Sequence, residues 1–219
     1  MSNAIIRNTL TNQVTEQMRE DILLCKFPLG THITTQLLAE RYNTSPAPIR
    51  EALQILAGEK LLSISPYKGA VITMIDHQFI NSMYDILRSM EVLLVENIVD
   101  HWTPEFREKI ISIHYQIAAL SLEEAYQNFN TLNRLFHDSL EQFSANQQAY
   151  ELCHQYHRNI TILTDNGLPH TQQRYQAIIK EHAQIIEAID SGDVDEVRKQ
   201  YQHHSLAAQK EMFRQLKDR

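Results

Sequence analysis

From Asp76 onward the sequence is divided into six segments by residues that begin or end helices, and this pattern constrains the fold more than any other feature. The first segment carries apolar residues at helical spacing, namely Phe79, Ile80, Met83, Leu87, Met90, Leu94 and Ile98. The other five begin at residues suited to helix N-termini: Thr103-Pro104, the capping box 121–124, Asn146, Thr171 and Asp193. Six helices with short connections predict a compact antiparallel bundle.

The first 75 residues show a different order of elements. The predicted elements are a helix over 11–25, a short helix over 36–42, a turn at 43–44, a helix from Pro46 capped by Ser45, and strands over 61–65 and 70–73. This is the order of a winged helix-turn-helix. The predicted fold is therefore mostly α, with a winged helix-turn-helix over 1–75 and an antiparallel α-helical bundle over 76–219.

The two parts also differ in charge, which supports a boundary near residue 75. Residues 1–75 hold seven basic and six acidic residues, whereas 76–219 hold 13 basic and 21 acidic residues and ten of the eleven histidines. The net charge of -7 does not exclude DNA binding, because only the binding face has to be basic. It argues against a protein that coats DNA with its whole surface.

Composition excludes several other classes of protein. The chain is 43% hydrophobic and 21% charged, which is typical of globular rather than disordered proteins. Cys25 and Cys153 lie far apart without CxxC spacing, which argues against a disulfide framework or a zinc ribbon. No stretch approaches the ~18 apolar residues of a membrane span, and the first residues lack the pattern of a secretory signal. We therefore expect a cytoplasmic protein with no membrane partner.

The run LAERYNTSPAPIREAL over residues 38–53 resembles the helix-turn-helix of GntR-type bacterial transcription factors. Residues 27–30 resemble that family's Pro-Gly turn before its first strand, and residues 66–71 resemble its wing. The C-terminal part resembles the FCD effector domain of the FadR subgroup, in its shorter, VanR-like form with six helices. The matching positions there are Arg88, Glu91, Phe136-His137, Glu181-His182, Gly192-Asp193 and His204.

The sequence departs from this family at two positions. The family usually has an arginine directly after the serine that begins its recognition helix, and here that position is Pro46. Because that arginine commonly reads a guanine, the usual operator sequence should not be assumed. The family's first metal ligand is usually an aspartate, and here that position is Asn133. An uncharged amide oxygen predicts weaker metal binding than a carboxylate, or a role in binding a metal-bound water.

The resemblance places the start of the second helix of the helix-turn-helix against base edges in double-stranded DNA. A helix N-terminus also favours phosphate through its free N–H groups. The predicted DNA contacts are Gln36, Thr44, Ser45, Ala47, Arg50, Lys68 and Gly69. We expect Arg50 to contact guanine or phosphate, and Lys68 and Gly69 to approach the minor groove from the wing. The alternative is that Arg50 is an ordinary solvated charge and that the winged helix docks a protein.

The resemblance also implies a metal site made of Asn133, His137, His182 and His204. Asn133 and His137 share a helix face, and an antiparallel helix pair joined at Gly192 can bring the other two histidines to one level. Three imidazoles suit a divalent transition metal such as Zn or Ni, with open positions for other ligands. The alternatives are that these residues are surface or hydrogen-bonded core histidines, that His203 replaces His204, or that the pair His154 and His157 binds instead.

Arg88 is predicted to clamp the carboxylate of an effector, because its planar guanidinium matches carboxylate geometry. The alternative is an ion pair with Glu91, three residues further along the same helix. Arg134 and Arg174 are less certain partners of an effector.

Together these features predict a homodimeric transcription regulator that responds to a small organic acid, a metal or both. The resemblance to the family implies that it acts as a repressor. One rival is a metal-dependent helical enzyme with an open three-histidine site. No catalytic base is recognisable beside the histidines. The side chain of Glu181 is expected to point in a different direction from that of its neighbour His182, away from the histidines. A second rival is a metal-free regulator that binds an acyl ligand.

Overall fold

The chain divides into two compact units, Met1–Phe79 and Ile80–Arg219. The division lies just beyond the change in composition near residue 75, inside the first long helix of the C-terminal part. The structure is a computed structural model, and it describes residues 10–27, 30–65, 69–144, 146–165 and 171–217.

The first unit is a winged helix-turn-helix, as the sequence predicts. Its elements are α1 (Leu10–Leu23), β1 (His32–Ile33), α2 (Thr35–Arg41), α3 (Pro46–Gly58), β2 (Leu62–Ser65) and β3 (Gly69–Ile72). The three strands form one antiparallel sheet in the order β1-β3-β2. Thr34 caps α2, because its hydroxyl accepts a hydrogen bond from the N–H of Leu37.

The core of this unit lies between α1 and α3. Met18 and Ile22 of α1 and Ile49 and Leu56 of α3 are all buried. Beside them Arg19, only 1% exposed, reaches the carboxylate just after α3. Its Nε donates to Glu59 Oε2 at 2.8 Å and its Nη2 to Oε1 at 2.7 Å. This bidentate ion pair ties α1 to the end of α3.

The second unit contains the six predicted helices among the residues that the structure describes. They are α4 (His77–Glu96), α5 (Pro104–Ala118), α6 (Leu122–Glu141), α7 (Gln147–Asp165), α8 (Gln172–Ser191) and α9 (Val194–Lys217). A single 3-10 turn, Val99–His101, follows α4. None of these helices, in the described part of the chain, is apolar over a length that would cross a membrane.

Local capping explains where these helices begin and end. The hydroxyl of Thr103 accepts from the N–H of Phe106 at the start of α5, and Ser121 forms a reciprocal capping box with Glu124 on α6. Gly192 ends α8 in the left-handed conformation, with φ 74°, and Asp193 then caps α9. The short turn makes α8 and α9 an antiparallel pair. Polar residues of both helices therefore lie side by side at the same height along the bundle.

Candidate functional site

The N-terminal end of α3 presents three of the predicted DNA-contacting side chains to solvent. Ser45, Ala47 and Arg50 are all exposed. Within the described part of the chain, no hydrogen bond or ion pair holds the Arg50 guanidinium. It is therefore available to a guanine edge or a phosphate.

Two prolines change the chemistry of this helix end. Ser45 is the N-cap residue with φ -79° and ψ 162°, but its side chain makes no capping hydrogen bond. An N-cap hydroxyl accepts from the second or third helical N–H, and the third helical residue is Pro48, which has none. Because Pro46 also lacks an N–H, Ala47 alone among the first three helical residues can donate. The expected phosphate site at the helix N-terminus is thus reduced to one early donor, while the Ser45 hydroxyl stays available.

Two other predicted DNA contacts, Gln36 and Thr44, are less available to DNA than predicted. Gln36 is exposed, but its amide Nε2 donates to Glu40 Oε1 at 3.0 Å. A DNA phosphate would therefore have to displace the Glu40 carboxylate to bind this amide. The hydroxyl oxygen of Thr44 is buried and has no hydrogen-bond partner among the described residues. Lys68 lies outside the described residues.

Gly69, predicted to lie at the wing tip, begins β3 and is needed for a steric reason. Its φ is 100°, a conformation that favours glycine. A Cβ atom built there would lie 2.1 Å from the carbonyl oxygen of Ile33 and 2.9 Å from the Cα of Thr34. The glycine therefore allows β3 to approach the β1 backbone closely, which shapes the base of the wing.

In the second unit, three predicted metal ligands lie together in the bundle interior. His137 comes from α6, His182 from α8 and His204 from α9, and all three are buried. One ligand atom from each lies within 4.8 Å of the others. The Nε2 atoms of His137 and His204 are 3.2 Å apart, a distance that suits either a hydrogen bond or two ligands of one ion.

Several nitrogens of this centre have no partner among the described residues. They are both ring nitrogens of His182 and Nδ1 of His137. Burial, followed by the neighbouring imidazoles, holds the pKa of His137 and of His182 well below the usual range. Both rings are therefore neutral near pH 7. Neutral imidazoles with buried, unpartnered nitrogens are the donors that a transition metal requires.

The third histidine is oriented by a carboxylate. His204 Nδ1 lies 2.7 Å from Glu181 Oε2, so the protonated Nδ1 donates to the carboxylate and Nε2 faces His137. Arg174 holds the same carboxylate with both Nη atoms, at 2.5 and 3.2 Å. A carboxylate behind a histidine fixes the ring and raises its basicity toward a metal.

The expectation that the Glu181 side chain points away from the histidines is wrong. Glu181 and His182 are adjacent on α8, but both are buried. The carboxylate turns toward α9, where it contacts His204, whereas the His182 ring stacks on Phe136 with centroids 4.1 Å apart. Helix α8 is covered on more than one side, so two neighbouring positions both face the interior.

Asn133 lies one turn before His137 on α6, on the same face. Its side-chain oxygen is buried and has no hydrogen-bond partner among the described residues. Asn133, His137 and His204 line one cavity, which measures about 100 Å³. An unpartnered carbonyl oxygen in this position can coordinate an ion or accept from a water bound to it.

The same cavity is walled by two arginines, Arg134 and Arg174, and by apolar side chains such as Leu87 and Phe129. One buried water needs about 10–15 Å³, so the cavity has room for several waters or for a small organic acid. The guanidinium groups on the wall can bind a carboxylate.

Arg88, predicted to clamp the effector, does not line this cavity. Its Nη2 donates to Gln209 Oε1 at 2.6 Å, and its Nη1 contacts Asp85 at 3.3 Å. The proposed alternative, an ion pair with Glu91, is not formed among the described contacts. Glu91 instead faces His157 of α7, with Oε1 and Nε2 3.0 Å apart.

The sequence draws attention to Arg174, Glu181, Glu91 and His157 but does not predict which partners they find near the cavity. Arg174 and Glu181 pair behind His204, and Glu91 and His157 cluster with Glu141. Glu141 itself is not predicted; its one sequence signal is that it follows His137 by four residues on α6 and so shares its face. Of the alternative ligands, His203 and His154 are both exposed.

The chain matches two protein families. Residues 10–72 match the family described as bacterial regulatory proteins, gntR family, and residues 82–207 match the FCD domain. The HTH-type transcriptional regulator YdhC of Bacillus subtilis (strain 168) is 28% identical over 184 residues, which cover 81% of this chain and 79% of YdhC. The HTH-type transcriptional repressor RspR of Escherichia coli (strain K12) is 22% identical over 209 residues, which cover 95% of this chain and 90% of RspR.

The fold is also shared with a solved structure, that of E. coli McbR/YncC. The TM-score is 0.67 at 18% identity, and the alignment covers 95% of this chain and 99% of the other. The matched families and the relatives' names are those of DNA-binding transcription regulators. These matches argue against the alternative hypothesis that the chain is a metal-dependent enzyme. The chain belongs to the GntR family of bacterial regulatory proteins and joins that family's winged helix-turn-helix to an FCD domain.

Proposed function

We propose that the chain is a cytoplasmic, homodimeric repressor that binds a two-fold operator through α3 and responds to a small organic acid and a metal bound in its FCD domain. One observation carries this proposal. The buried three-histidine centre opens onto a cavity whose wall also holds Arg134 and Arg174. A regulator built on a winged helix-turn-helix thus has a cavity for a small ligand, with charged groups set in a largely apolar wall.

His137, His182 and His204 would hold the metal, with the Asn133 oxygen as a weak fourth ligand. Zn–N bonds are about 2.0–2.1 Å long, so two ligands of one tetrahedral ion lie roughly 3.3–3.4 Å apart. The 3.2 Å between the Nε2 atoms of His137 and His204 is close to that distance. Zn or Ni suits such a donor set. A bound metal would supply a positive centre that attracts a carboxylate.

The effector would be a small acid whose carboxylate meets an arginine of the cavity wall. Each of the two arginines is already paired, Arg134 with Asp138 at 2.5 Å and Arg174 with Glu181. In both guanidinium groups the buried Nε has no hydrogen-bond partner among the described residues, so each arginine keeps donor capacity beyond its ion pair. The effector can release DNA only if it binds the DNA-competent arrangement less tightly than the other arrangement.

The alternative function, a metal-free regulator that binds an acyl ligand, is favoured by the apolar part of the cavity wall. Leu87, Phe129, Ile178 and Met212 contribute to it. Metal analysis of protein purified without an affinity tag separates the two readings. Metal that the wild type binds and His182→Leu loses supports the histidine centre, and metal-free protein that still binds an acid supports the acyl ligand.

Dimerisation would use the exposed apolar side of α4. Ile86 and Leu93 are seven residues apart on one face of that helix and are 46% and 44% exposed. A homodimer presents two copies of α3, which is why we propose an operator with two-fold symmetry. Sedimentation of the purified protein should give twice the chain mass of 25.5 kDa.

The operator proposal is tested by titrating the protein against DNA upstream of its own gene and against a scrambled duplex, at several salt concentrations. We expect affinity to fall steeply with salt and the two duplexes to differ by ~10³-fold or more. Arg50→Ala should weaken operator binding at least about tenfold, since a bidentate arginine contact contributes about 1–3 kcal/mol.

The control is Lys109→Ala, which removes one positive charge from an exposed position of α5 in the other unit and should leave DNA affinity unchanged. If Arg50→Ala binds the operator as tightly as the wild type, the assignment of α3 as the recognition helix is wrong. If neither duplex binds at low salt, the protein-docking reading replaces the DNA-binding one for this chain.

Restoring the family's carboxylate should strengthen the metal site. We expect Asn133→Asp to bind Zn²⁺ about tenfold more tightly, equivalent to about 1.4 kcal/mol, because a charged oxygen replaces a neutral one. Asn128→Asp adds the same charge at an exposed position of α6 and is the control. Equal Zn²⁺ affinity in wild type, Asn133→Asp and Asn128→Asp, measured by competition with a chelator, would show that residue 133 does not face the metal.

A further inference from the structure

A second cluster of potential ligands lies in the bundle and shares no residue with the three-histidine centre. It consists of Glu91 of α4, Glu141 of α6 and His157 of α7. Glu91 is 4% exposed and Glu141 is fully buried. His157 Nε2 lies 3.0 Å from Glu91 Oε1 and 3.4 Å from Glu141 Oε1.

The carboxylates of this cluster lack the hydrogen bonds that buried charges need. Both oxygens of Glu141 and Oε2 of Glu91 have no hydrogen-bond partner among the described residues. A buried carboxylate without compensation is strongly destabilising. Arg134 does not provide full compensation, because its Nη2 is 3.7 Å from Glu141 but 2.5 Å from Asp138.

Charge and spacing both favour a divalent cation here. With a neutral imidazole the cluster carries two negative charges, and a proton on His157 would cancel only one of them. Metal–ligand bonds of about 2.0–2.2 Å place neighbouring ligands of one ion roughly 3.0–3.5 Å apart. The distances from His157 to the two carboxylates fall in this range.

We propose that Glu91, Glu141 and His157 form a second site for a divalent metal ion, distinct from the three-histidine centre. Its two carboxylates and one imidazole suit Zn, Mn or Fe rather than a metal that prefers thiolate. Glu91 and His157 line the same cavity as His137 and His204. A cation at the second site therefore faces the space proposed for the effector and adds a second positive centre for an acid.

The test measures metal stoichiometry in untagged, full-length protein. Metal-stripped samples are loaded with Zn²⁺, dialysed and analysed for zinc per chain. The wild type should hold two ions, Glu141→Gln one, His182→Leu one, and the double variant none. Glu141→Gln keeps the size of the side chain, and circular dichroism of the metal-free samples checks that each variant is folded. If Glu141→Gln does not fold, Glu91→Gln replaces it in the zinc measurement.

The matched control is Glu151→Gln, which removes an exposed carboxylate of α7 and should leave two ions bound. If the wild type holds one ion that is lost in His182→Leu and kept in both Glu141→Gln and Glu91→Gln, the second site is refuted while the histidine centre stands. If the single ion is lost in Glu141→Gln and kept in His182→Leu, the second site stands and the histidine centre is refuted. No bound zinc in the wild type would overturn both.

Discussion

Replacing His182 with leucine is expected to weaken metal binding at the three-histidine centre by about 100-fold or more. Loss of a residue that only orients a metal ligand already costs about 10–100-fold in metal affinity, and His182 would be a ligand itself. Leucine removes both nitrogens but keeps an apolar side chain in the place where the imidazole stacks on Phe136, at 4.1 Å between centroids. His182→Ala should lose metal equally but leave a cavity.

The measurement is thermal unfolding with and without added Zn²⁺. A metal at 100 times its dissociation constant stabilises the folded wild type by about 2.7 kcal/mol, and His182→Leu should gain almost none of this from the histidine centre. Without metal, the variant should unfold within about 1.5 kcal/mol of the wild type, because both nitrogens of His182 are unpartnered among the described residues. His203→Ala, the exposed neighbour of His204, is the control. A His182→Leu protein that keeps the full stabilisation by Zn²⁺ would contradict the site.

Replacing Gly69 with alanine is expected to destabilise the first unit by about 3 kcal/mol or more, which is typical of severe backbone conflicts. The new Cβ would lie 2.1 Å from the carbonyl oxygen of Ile33. That backbone cannot easily retreat, because Ile33 pairs with Ala70 across the β1–β3 ladder. The φ of 100° adds strain of its own, so both the ladder and the base of the wing should be lost together.

Gly30→Ala is the comparison that separates sterics from backbone strain. Gly30 also has a positive φ, 73°, but nothing lies within 4 Å of a Cβ built there. It should therefore cost only about 1–2 kcal/mol, the penalty of a left-handed residue. Denaturant unfolding of the two variants measures the difference. Equal losses of stability in Gly69→Ala and Gly30→Ala would show that the close approach to Ile33 is not what requires glycine at 69.

The fold class and the order of the helices could be predicted from the sequence, whereas the two-residue strand β1 could not. Winged helix-turn-helix and six-helix bundle follow from local signals: apolar spacing, Thr103 and Ser121 at helix starts, and Gly192 at a helix end. These signals act between residues a few positions apart, so they can be recognised without knowledge of how the helices and strands pack together. The family, and with it the DNA-binding function, followed from the run over 38–53 and the C-terminal positions that resemble an FCD domain.

Which polar side chains meet depends on the packing of helices that are distant in sequence. His137 and His204 are 67 residues apart in sequence, and Arg88 bonds with Gln209 across 121 residues. Helical spacing gives the face on which Glu181 or Glu141 lies, but several faces of α8 and α6 are covered at once. Which partner each buried group finds depends on the packing of neighbouring helices, because a buried charge is costly unless it is paired or hydrogen-bonded.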